Sequence, residues 1–427
     1  MNPLRLCLVV PADPVDRFVV RVPLDVLAAA AGLRADGHEV TVWDQRLPDA
    51  PPVMEDPDLL VVFTATVGRA RRYPLDLAPV RAATDRARRR FPGAPTMAVG
   101  PHGTHLPGAT LLALAVDHVA VGEAGSATVH GVRDLGAGIA APVLYGDLPR
   151  PAAPVAVVGN HPRPYPDLDQ DRWPMPAYDL VSLERYTAEV VVDGVPRPGP
   201  AGTVLATHGG TFGHPPFGAG PRTRSVDRIV AEIAAQRAAG LPSQSFLDSD
   251  FGVDTSSYGV ICERLRGQGI DWVARTSTEA VLRTDVTRWA EAGCRGMWLR
   301  AEPPSGADAG QPFREAVLKL RDAGIAPFAS VLIGLPGDAA HVPDRLVDWA
   351  AELPARFGLD LVSPRPGTPL YSRLAPGLNG GTPPATWQEV RHVTRRYRAD
   401  HPADLDDLER RLTALPNHLA DATALTG

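Results

Sequence analysis

The fold is decided by the segment EAGCRGMWLRAE (residues 291–302) together with AGIAPFASVLIGLPGD (residues 323–338). Each contains a short apolar run typical of a buried strand, at residues 296–299 and 327–333. Residues 313–323, between the two runs, have the apolar spacing of an amphipathic helix. A strand, a helix and a second strand in this order predict a parallel sheet with crossover helices.

The same alternation extends in both directions from this unit. Strands are predicted at residues 202–206, 245–247, 272–275 and 358–362, and helices at residues 225–239, 256–268, 285–292 and 342–353. Repeated strand–helix units of this size indicate a full or partial (β/α) barrel of the TIM type. Its active site is expected at the carboxyl ends of the strands.

The N-terminal region predicts a second α/β domain, a doubly wound parallel sheet of the Rossmann or flavodoxin type. Strands are expected at residues 4–10, 39–43, 59–63, 96–99 and 118–121, with a helix at residues 24–36. Three strands are followed by loops of small and polar residues, at 64–68, 100–104 and 122–126. Ligands bind at this edge of an open parallel sheet, where glycines allow close backbone approach.

Length and composition restrict the function. A chain of 427 residues with 44% hydrophobic residues is expected to fold as two domains, and a net charge of −6 argues against nucleic acid as a partner. No apolar run is long enough to cross a membrane and no signal peptide is evident, so a soluble, cytoplasmic protein is expected. Cys7, Cys262 and Cys294 are far apart and lie in strand or helix patterns, which predicts core positions.

The predicted organisation has four parts. Residues 1–141 form the first domain, residues 142–192 a proline-rich linker, residues 193–378 the barrel and residues 379–427 two amphipathic helices. These helices could close the barrel mouth or contact a second subunit of a homo-oligomer, but core packing is the simpler expectation.

The N-terminal region resembles the cobalamin-binding domain of the B12-dependent radical SAM enzymes, which use S-adenosyl-L-methionine (SAM). The resemblance lies in VPLDVLAAAAGLRADGHEVTVWD (22–44), VGPHGTHLP (99–107) and VDHVAVGEAGSAT (116–128). In that family the corrin lies on the sheet edge, usually without a histidine on the lower face of cobalt. His102 and His105, predicted in an exposed loop, are therefore weak axial-ligand candidates. The resemblance implies that the cobalamin-binding residues are Thr64, Thr66, Gly100, His102, Thr104, Gly122, Glu123 and Ser126.

The barrel region resembles the radical SAM core of the same family. FLDSDFGVD (246–254) is similar to its second strand, residues 291–302 and 323–338 to its fourth and fifth, and SPRPGTPLYSRL (363–374) to its sixth. This implies that the SAM-binding residues are Asp248, Ser277, Glu302, Gly334, Pro336 and Pro366, with Glu302 accepting hydrogen bonds from amino or ribose groups of SAM. Alternatively, Asp248 and Asp250 could cap the following helix, and residues 334–337 could form a plain turn.

The loop ATHGGTFGHPPF (206–217) departs from the family pattern. The family has Cys-x-x-x-Cys-x-x-Cys here, and the three positions fall on Gly210, His214 and Phe217. An iron–sulfur cluster needs thiolate ligands, so none is expected. His208, His214, Asp248 and Asp250 could hold another divalent metal, but their spacing does not predict one.

The resemblance implies a cobalamin-dependent, SAM-using enzyme of secondary metabolism that works without a cluster. Methyl transfer by polar displacement would remain possible without the cluster. Cobalt(I) can take the methyl group of SAM and pass it to a nucleophile of a small-molecule substrate, with no net electron consumed. Two alternatives remain open. SAM could alkylate or cyclise a small molecule, or the chain could be a non-catalytic cobalamin- or SAM-binding partner of a true radical SAM enzyme.

Overall fold

The computed structural model describes residues 2–12, 19–47, 54–66, 73–139, 141–144, 171, 173–208, 222–252, 255–301, 310–336 and 342–419. The described residues divide into two compact units. The first contains the residues up to Arg185 together with Pro364–Thr394, and the second contains Tyr186–His208, Thr223–Ser363 and the residues from Arg395 onwards.

The strands are β1 (Arg5–Val10), β2 (Glu39–Asp44), β3 (Leu59–Phe63), β4 (Thr96–Val99), β5 (His118–Ala120), β6 (Val143–Leu144), β7 (Ala188–Val192), β8 (Val195–Gly199), β9 (Ala201–Val204), β10 (Thr207–His208), β11 (Arg222–Thr223), β12 (Ser243–Phe246), β13 (Trp272–Thr276), β14 (Cys294–Ala301), β15 (Ala326–Ile333) and β16 (Arg356–Leu361). The helices are α1 (Leu24–Ala35), α2 (Ala78–Arg90), α3 (Pro101–His105), α4 (Pro107–Leu114), α5 (Ala124–Gly136), α6 (Val226–Ala238), α7 (Thr255–Leu265), α8 (Thr278–Arg283), α9 (Thr287–Glu291), α10 (Gln311–Asp322), α11 (Val342–Ala351), α12 (Pro369–Leu378), α13 (Trp387–Ala399) and α14 (Leu405–Thr413).

The first unit is built on a six-stranded parallel sheet in the order β2-β1-β3-β4-β5-β6. Successive residues of β1 point to opposite faces: Leu6 and Leu8 pack with α1 and α5, whereas Cys7 and Val9 pack with α2, α4, α12 and α13. Helices therefore cover both faces, as the near-continuous apolar strands predict. The doubly wound sheet expected from the sequence is confirmed.

The second unit is built on a six-stranded parallel sheet in the order β16-β15-β14-β13-β12-β9. One face packs against helices α6 to α11 and α14. On the other face, Trp298 and Phe328 pack with Val191 and Val195 of the β7–β8 hairpin, and Trp298 Nε1 donates a hydrogen bond to the buried Glu189 carboxylate. This sheet is a partial (β/α) barrel, the second half of the predicted fold.

The helix starts in the second unit follow ordinary capping chemistry. The hydroxyl of Ser225 accepts a hydrogen bond from the N–H of Arg228 at the start of α6, and that of Ser277 accepts one from Ala280 at the start of α8. Each hydroxyl satisfies an N–H group that has no partner within its own helix.

Several segments differ from the sequence-based expectation, and two of them bear on the site. Residues 101–105, predicted as a loop, form the short helix α3, and the end of the predicted linker contains β7. The sequence VVDGVP at 191–196 is a hairpin turn in which Asp193 and Gly194 both have positive φ. None of the helices in the described ranges is both long and apolar enough to cross a membrane.

Candidate functional site

A buried threonine and a glycine turn bring the ends of β3 and β4 together. Thr64 is 2% exposed, and its N–H donates to the Val99 carbonyl over 2.8 Å. Gly100 has φ of +114°, and a Cβ at this position would lie 2.8 Å from Thr64 Oγ1. Glycine is therefore required for this approach. Thr64 Oγ1 is buried and has no hydrogen-bond partner among the described residues.

Thr104 connects the ends of β4 and β5. Its hydroxyl oxygen lies 3.0 Å from the Gly100 carbonyl and 2.9 Å from the Gly122 carbonyl, and it accepts a hydrogen bond from the Gly122 N–H at 3.2 Å. Glu123 is the N-cap residue of α5, and the Ser126 hydroxyl donates to the Glu123 carbonyl. The Thr104 and Ser126 hydroxyls therefore bind backbone and shape the edge.

A small crevice of about 30 Å³ lies at this edge. It is placed where the strand order reverses, between β1 and β3, which is the usual ligand position in doubly wound sheets. Its lining residues are Val10, Pro11, Ala12, Arg46, Phe63, Thr64, Ala65, Thr66, Pro74, Pro79 and Val80. The Thr64 hydroxyl, which lines this crevice and has no hydrogen-bond partner among the described residues, is the polar group at this edge that fits binding to a polar group of a ligand.

His102 does not lie in an exposed loop, and this part of the prediction is wrong. The ring is fully buried in α3, with its centroid 4.7 Å from that of Tyr73 and 4.8 Å from that of Trp387. Its Nε2 lies 2.6 Å from the Pro74 carbonyl, and burial lowers the pKa of His102 to about 3. A neutral ring packed between aromatic side chains contributes to the core of the unit.

His105 also packs inside the first unit. It stacks on Tyr73 with ring centroids 5.9 Å apart, and a Cβ at Gly367 would lie 2.1 Å from its Cε1. Pro366 precedes that glycine, is buried, and accepts a 3.5 Å hydrogen bond from Tyr73 through its carbonyl. Of the predicted SAM-side residues, Pro366 thus belongs to the first unit, while Asp248, Ser277, Gly334 and Pro336 belong to the second.

Asp248, at the carboxyl end of β12, holds the end of β9. Its carboxylate accepts hydrogen bonds from the N–H groups of Ala206 at 3.0 Å and Thr207 at 2.7 Å. The Tyr258 hydroxyl lies 3.0 Å from the same carboxylate and 3.1 Å from Thr207 Oγ1. Burial, followed by the charge of Asp248, raises the pKa of Tyr258, so the phenol stays protonated and donates.

Asp250 makes the equivalent connection to β13. Its carboxylate accepts hydrogen bonds from Thr276 Oγ1 at 3.2 Å and from the Ser277 N–H at 2.9 Å. Asp248 and Asp250 are each 4% exposed. These bonds to strand ends account for the burial of both carboxylates. Ser277 itself is the N-cap of α8, so its hydroxyl has a structural partner.

The turn after β15 is held by the C-terminal segment. Gly334 has φ of +82°, its carbonyl accepts a 2.6 Å hydrogen bond from the Tyr397 hydroxyl, and His401 Nε2 lies 3.0 Å from the Leu335 carbonyl. Pro336 follows and is exposed. The turn is therefore held by contacts with two side chains of the C-terminal segment, which a plain surface turn would lack.

Several predicted residues lie outside the described ranges. These are Glu302 and the loop positions Gly210, His214 and Phe217, and for His208 only the backbone is described. Within the described ranges, no three His, Cys, Asp or Glu side chains form a group that could hold a metal ion.

The three cysteines are core residues, as predicted. All are free thiols and buried: Cys7 in β1, Cys262 in α7 and Cys294 in β14. Burial raises the pKa of Cys7 and of Cys262 to about 12 and that of Cys294 well above its ordinary value. Iron–sulfur clusters bind thiolates, so these positions do not fit cluster ligation.

The fold is that of a methyltransferase known to bind cobalamin. The radical S-adenosylmethionine methyltransferase TsrM from Kitasatospora setae, solved with cobalamin and a four-iron, four-sulfur cluster bound, superimposes with a TM-score of 0.61 at 20% identity, covering 89% of this chain and 79% of TsrM. The TsrM structure with tryptophan substrate and the SAM analogue aza-SAM bound gives 0.61 at 19% identity, covering 89% of this chain and 77% of that one.

Similarity in sequence is weaker and partial. The uncharacterized methyltransferase PH0819 from Pyrococcus horikoshii is 25% identical over 220 residues, which span 47% of this chain and 46% of the relative. The match therefore covers about half the length of that relative. No protein-family model matches the chain.

Sequence reasoning missed the residues that hold the strand ends in place. Tyr258, Thr207, Tyr397 and His401 act through contacts between segments distant in the chain. His401 lies two residues beyond the end of α13, so helical spacing gives no signal that pairs it with Tyr397.

Proposed function

We propose that this protein is a cobalamin-dependent, SAM-using methyltransferase that transfers a methyl group by polar displacement to a nucleophilic atom of a small molecule, without an iron–sulfur cluster. The observation that carries the proposal is the position of the cysteines. In a fold shared with cobalamin-binding radical SAM methyltransferases, all three thiols are buried in the cores of the two units. The loop at residues 206–217 contains none.

The first unit would hold cobalamin at the edge formed by Thr64, Gly100, Thr104 and Gly122. Thr64 Oγ1 offers a buried donor and acceptor, and the two glycines, both at positive φ, allow the tight turns that follow β4 and β5. A bound cobalamin would supply a cobalt centre able to accept a methyl group and release it as a cation equivalent. The role of the chain is to hold the ligand and exclude water.

The second unit would hold SAM at the carboxyl ends of its strands. The carboxylates of Asp248 and Asp250 fix the ends of β9 and β13, and the Gly334 turn is fixed by Tyr397 and His401. Fixed backbone groups at strand ends bind a ligand with little loss of conformational entropy on binding. Glu302 is proposed to contact the amino or ribose groups of SAM.

The test uses the full chain, purified without oxygen. Iron and sulfide are quantified, hydroxocobalamin binding is followed by visible absorption, and transfer of label from [methyl-³H]SAM is measured after reduction. Corrin binding without iron, with label reaching the corrin fraction, is the expected result. Stoichiometric iron and sulfide would overturn the cluster-free mechanism. Absence of corrin binding would overturn the whole proposal, and binding of both ligands without label transfer would favour the non-catalytic alternative.

A further inference from the structure

The face of the second sheet that its helices do not cover begins with an apolar layer. Trp298 of β14 and Phe328 of β15 are 2% and 1% exposed, with ring centroids 5.1 Å apart, and they pack against the β7–β8 hairpin. A Cβ at Gly296 would lie 2.6 Å from Val191 of the hairpin and 2.9 Å from Phe328, so the hairpin packs directly on the strand. This part of the face is therefore filled by side chains, as barrel interiors usually are.

Towards the carboxyl ends of the strands, the same face becomes polar. Side chains alternate between the two faces of a strand, so Arg300 follows Trp298 on this face and Ser330 follows Phe328. By the same alternation, the neighbours of two further residues lie in the helix-covered core, which places those two residues here. The resulting polar layer consists of Arg275 of β13, Arg300 of β14, Ser330 of β15 and Asp360 of β16.

The strand register makes the four residues of the polar layer neighbours. Arg300 is paired with Ser330 across β14 and β15, and Ser330 Oγ donates to Asp360 Oδ2 over 3.4 Å. Arg275 is paired with Trp298, two residues before Arg300, so the two arginines are diagonal neighbours on adjacent strands. Long side chains span that separation. Both guanidinium groups can therefore reach one ligand group.

The polar layer has more positive than negative charge among its described side chains. It contains two guanidinium groups and one carboxylate, and the Glu189 carboxylate is bound by Trp298 Nε1 within the apolar layer. Arg275, Arg300 and Asp360 are partly exposed, so a ligand in solution can reach them. A guanidinium group has five N–H donors, and its planar edge matches the two oxygens of a carboxylate.

We infer that Arg275 and Arg300 bind a carboxylate of the acceptor, so that the substrates of this protein are small molecules with a carboxylate group. This inference rests on the proposed function, because it names the acceptor class of the same reaction. Charge-assisted, bidentate hydrogen bonds from arginine fix both the position and the orientation of a carboxylate. Asp360 lies beyond Ser330 as seen from Arg300, so an anion is favoured on the arginine side of the polar layer.

The test compares two carboxylates, 4-fluorobenzoate and 4-fluorophenylacetate, with their neutral amides by ¹⁹F NMR titration of the full chain. Wild type should bind each acid about tenfold more tightly than its amide. Arg300→Gln and Arg275→Gln should each abolish most of this preference by weakening the acids alone. Arg300→Lys keeps the charge and should restore part of it. Asp360→Asn should tighten acid binding several-fold, because it removes the negative charge of the polar layer.

Arg295→Gln is the matched control. Arg295 lies on the same strand as Arg300, but its side chain is 50% exposed and pairs with Asp271 at the surface. This variant should bind all four probes as wild type does. An equal affinity of wild type for acids and amides would overturn the inference, as would equal weakening of both by the arginine variants.

Two further measurements separate the acceptor from SAM and the inference from the proposed function. SAM has a carboxylate of its own, so the titration is repeated with saturating S-adenosylhomocysteine. Acid binding that persists supports an acceptor site, whereas its loss would assign the arginines to SAM and overturn the inference. Hydroxocobalamin titration of the same samples tests the proposed function: intact corrin binding without an acid preference would count against the inference alone, and absence of corrin binding against the proposed function.

Discussion

The phenol of Tyr258 donates a hydrogen bond to the carboxylate of Asp248 over 3.0 Å, and both groups are buried. The same carboxylate accepts hydrogen bonds from the backbone N–H groups of Ala206 and Thr207, between the end of β9 and the start of β10. One acidic side chain thus connects two neighbouring strands and a helix. The acidic residues at this strand end are therefore part of the framework of the barrel edge, whatever they contact in a ligand complex.

Replacing Asp248 by Asn should destabilise the chain by about 2–3 kcal/mol, because a buried amide cannot accept from every donor that the carboxylate satisfies. Tyr258→Phe should cost about 1–2 kcal/mol by removing one donor. Urea unfolding measures both. Asp227→Asn is the control, since this exposed residue pairs only at the surface with Arg264. An equal effect of the control and Asp248→Asn would contradict the role assigned to Asp248.

Gly100→Ala should weaken hydroxocobalamin binding about tenfold and destabilise the chain by about 1–3 kcal/mol, through positive φ and a Cβ pressed against Thr64. Gly93→Ala separates the two causes. Gly93 also has positive φ, +96°, but a Cβ there would meet nothing within 4 Å. The Gly93→Ala variant should have a free energy of unfolding lower by about 1 kcal/mol and an unchanged affinity for hydroxocobalamin. Absorbance titration and urea unfolding test the pair.

The buried His102 should make stability depend on pH. Its pKa is lowered from 6.5 to about 3 by burial, so the unfolded chain binds a proton that the folded chain does not between these values. Stability is then complete above pH 6.5 and falls as pH drops, at about 1.4 kcal/mol per pH unit for this group. His102→Gln keeps a donor for Pro74 but does not titrate. Urea unfolding at pH 7 and pH 5.5 should show a smaller loss in the variant than in wild type.

Lys319, the single lysine of the sequence, should stabilise α8 from a neighbouring helix. Its Nζ donates to the carbonyls of Val281 and Leu282, 3.0 and 2.9 Å away, in the last turn of α8. Lys319→Met should cost about 1–2 kcal/mol, because two carbonyls lose a charged donor. Arg321→Met, at an exposed position on the same helix, should leave the urea midpoint unchanged. A Lys319→Met midpoint equal to that of wild type would rule out the capping role.

The positions of the main strands could be predicted from sequence because their patterns are local. The strand expected at residues 59–63 is β3, and that at 96–99 is β4, with the same bounds. Buried parallel strands are near-continuous apolar runs, which need no knowledge of distant residues. Helix α3 is not predicted because it is too short for periodicity to appear, and Pro101 begins a segment whose glycines predict a loop.

The candidate site was predicted less completely. Residues were placed at the correct strand ends, but the roles of Asp248 and Ser277 in joining strands and capping a helix depend on partners far along the chain. The cofactor roles of these residues, the oligomeric state and the cytoplasmic location stay predictions. The sequence predicts His102 on the surface because a histidine between glycines is typical of a polar loop. In the structure, Tyr73 and Trp387 enclose the ring.

By itself, the sequence determined the two parallel sheets, the absence of cysteine between residues 206 and 217, and the core positions of the three thiols. These follow from local polarity and from residue identity. Only the tertiary structure decided which polar groups act together: Asp248 with Tyr258, Thr104 with Gly122, and Tyr397 with Gly334. Hydrogen bonds between distant segments form only once the chain is packed, and their directions depend on distances that no local pattern contains.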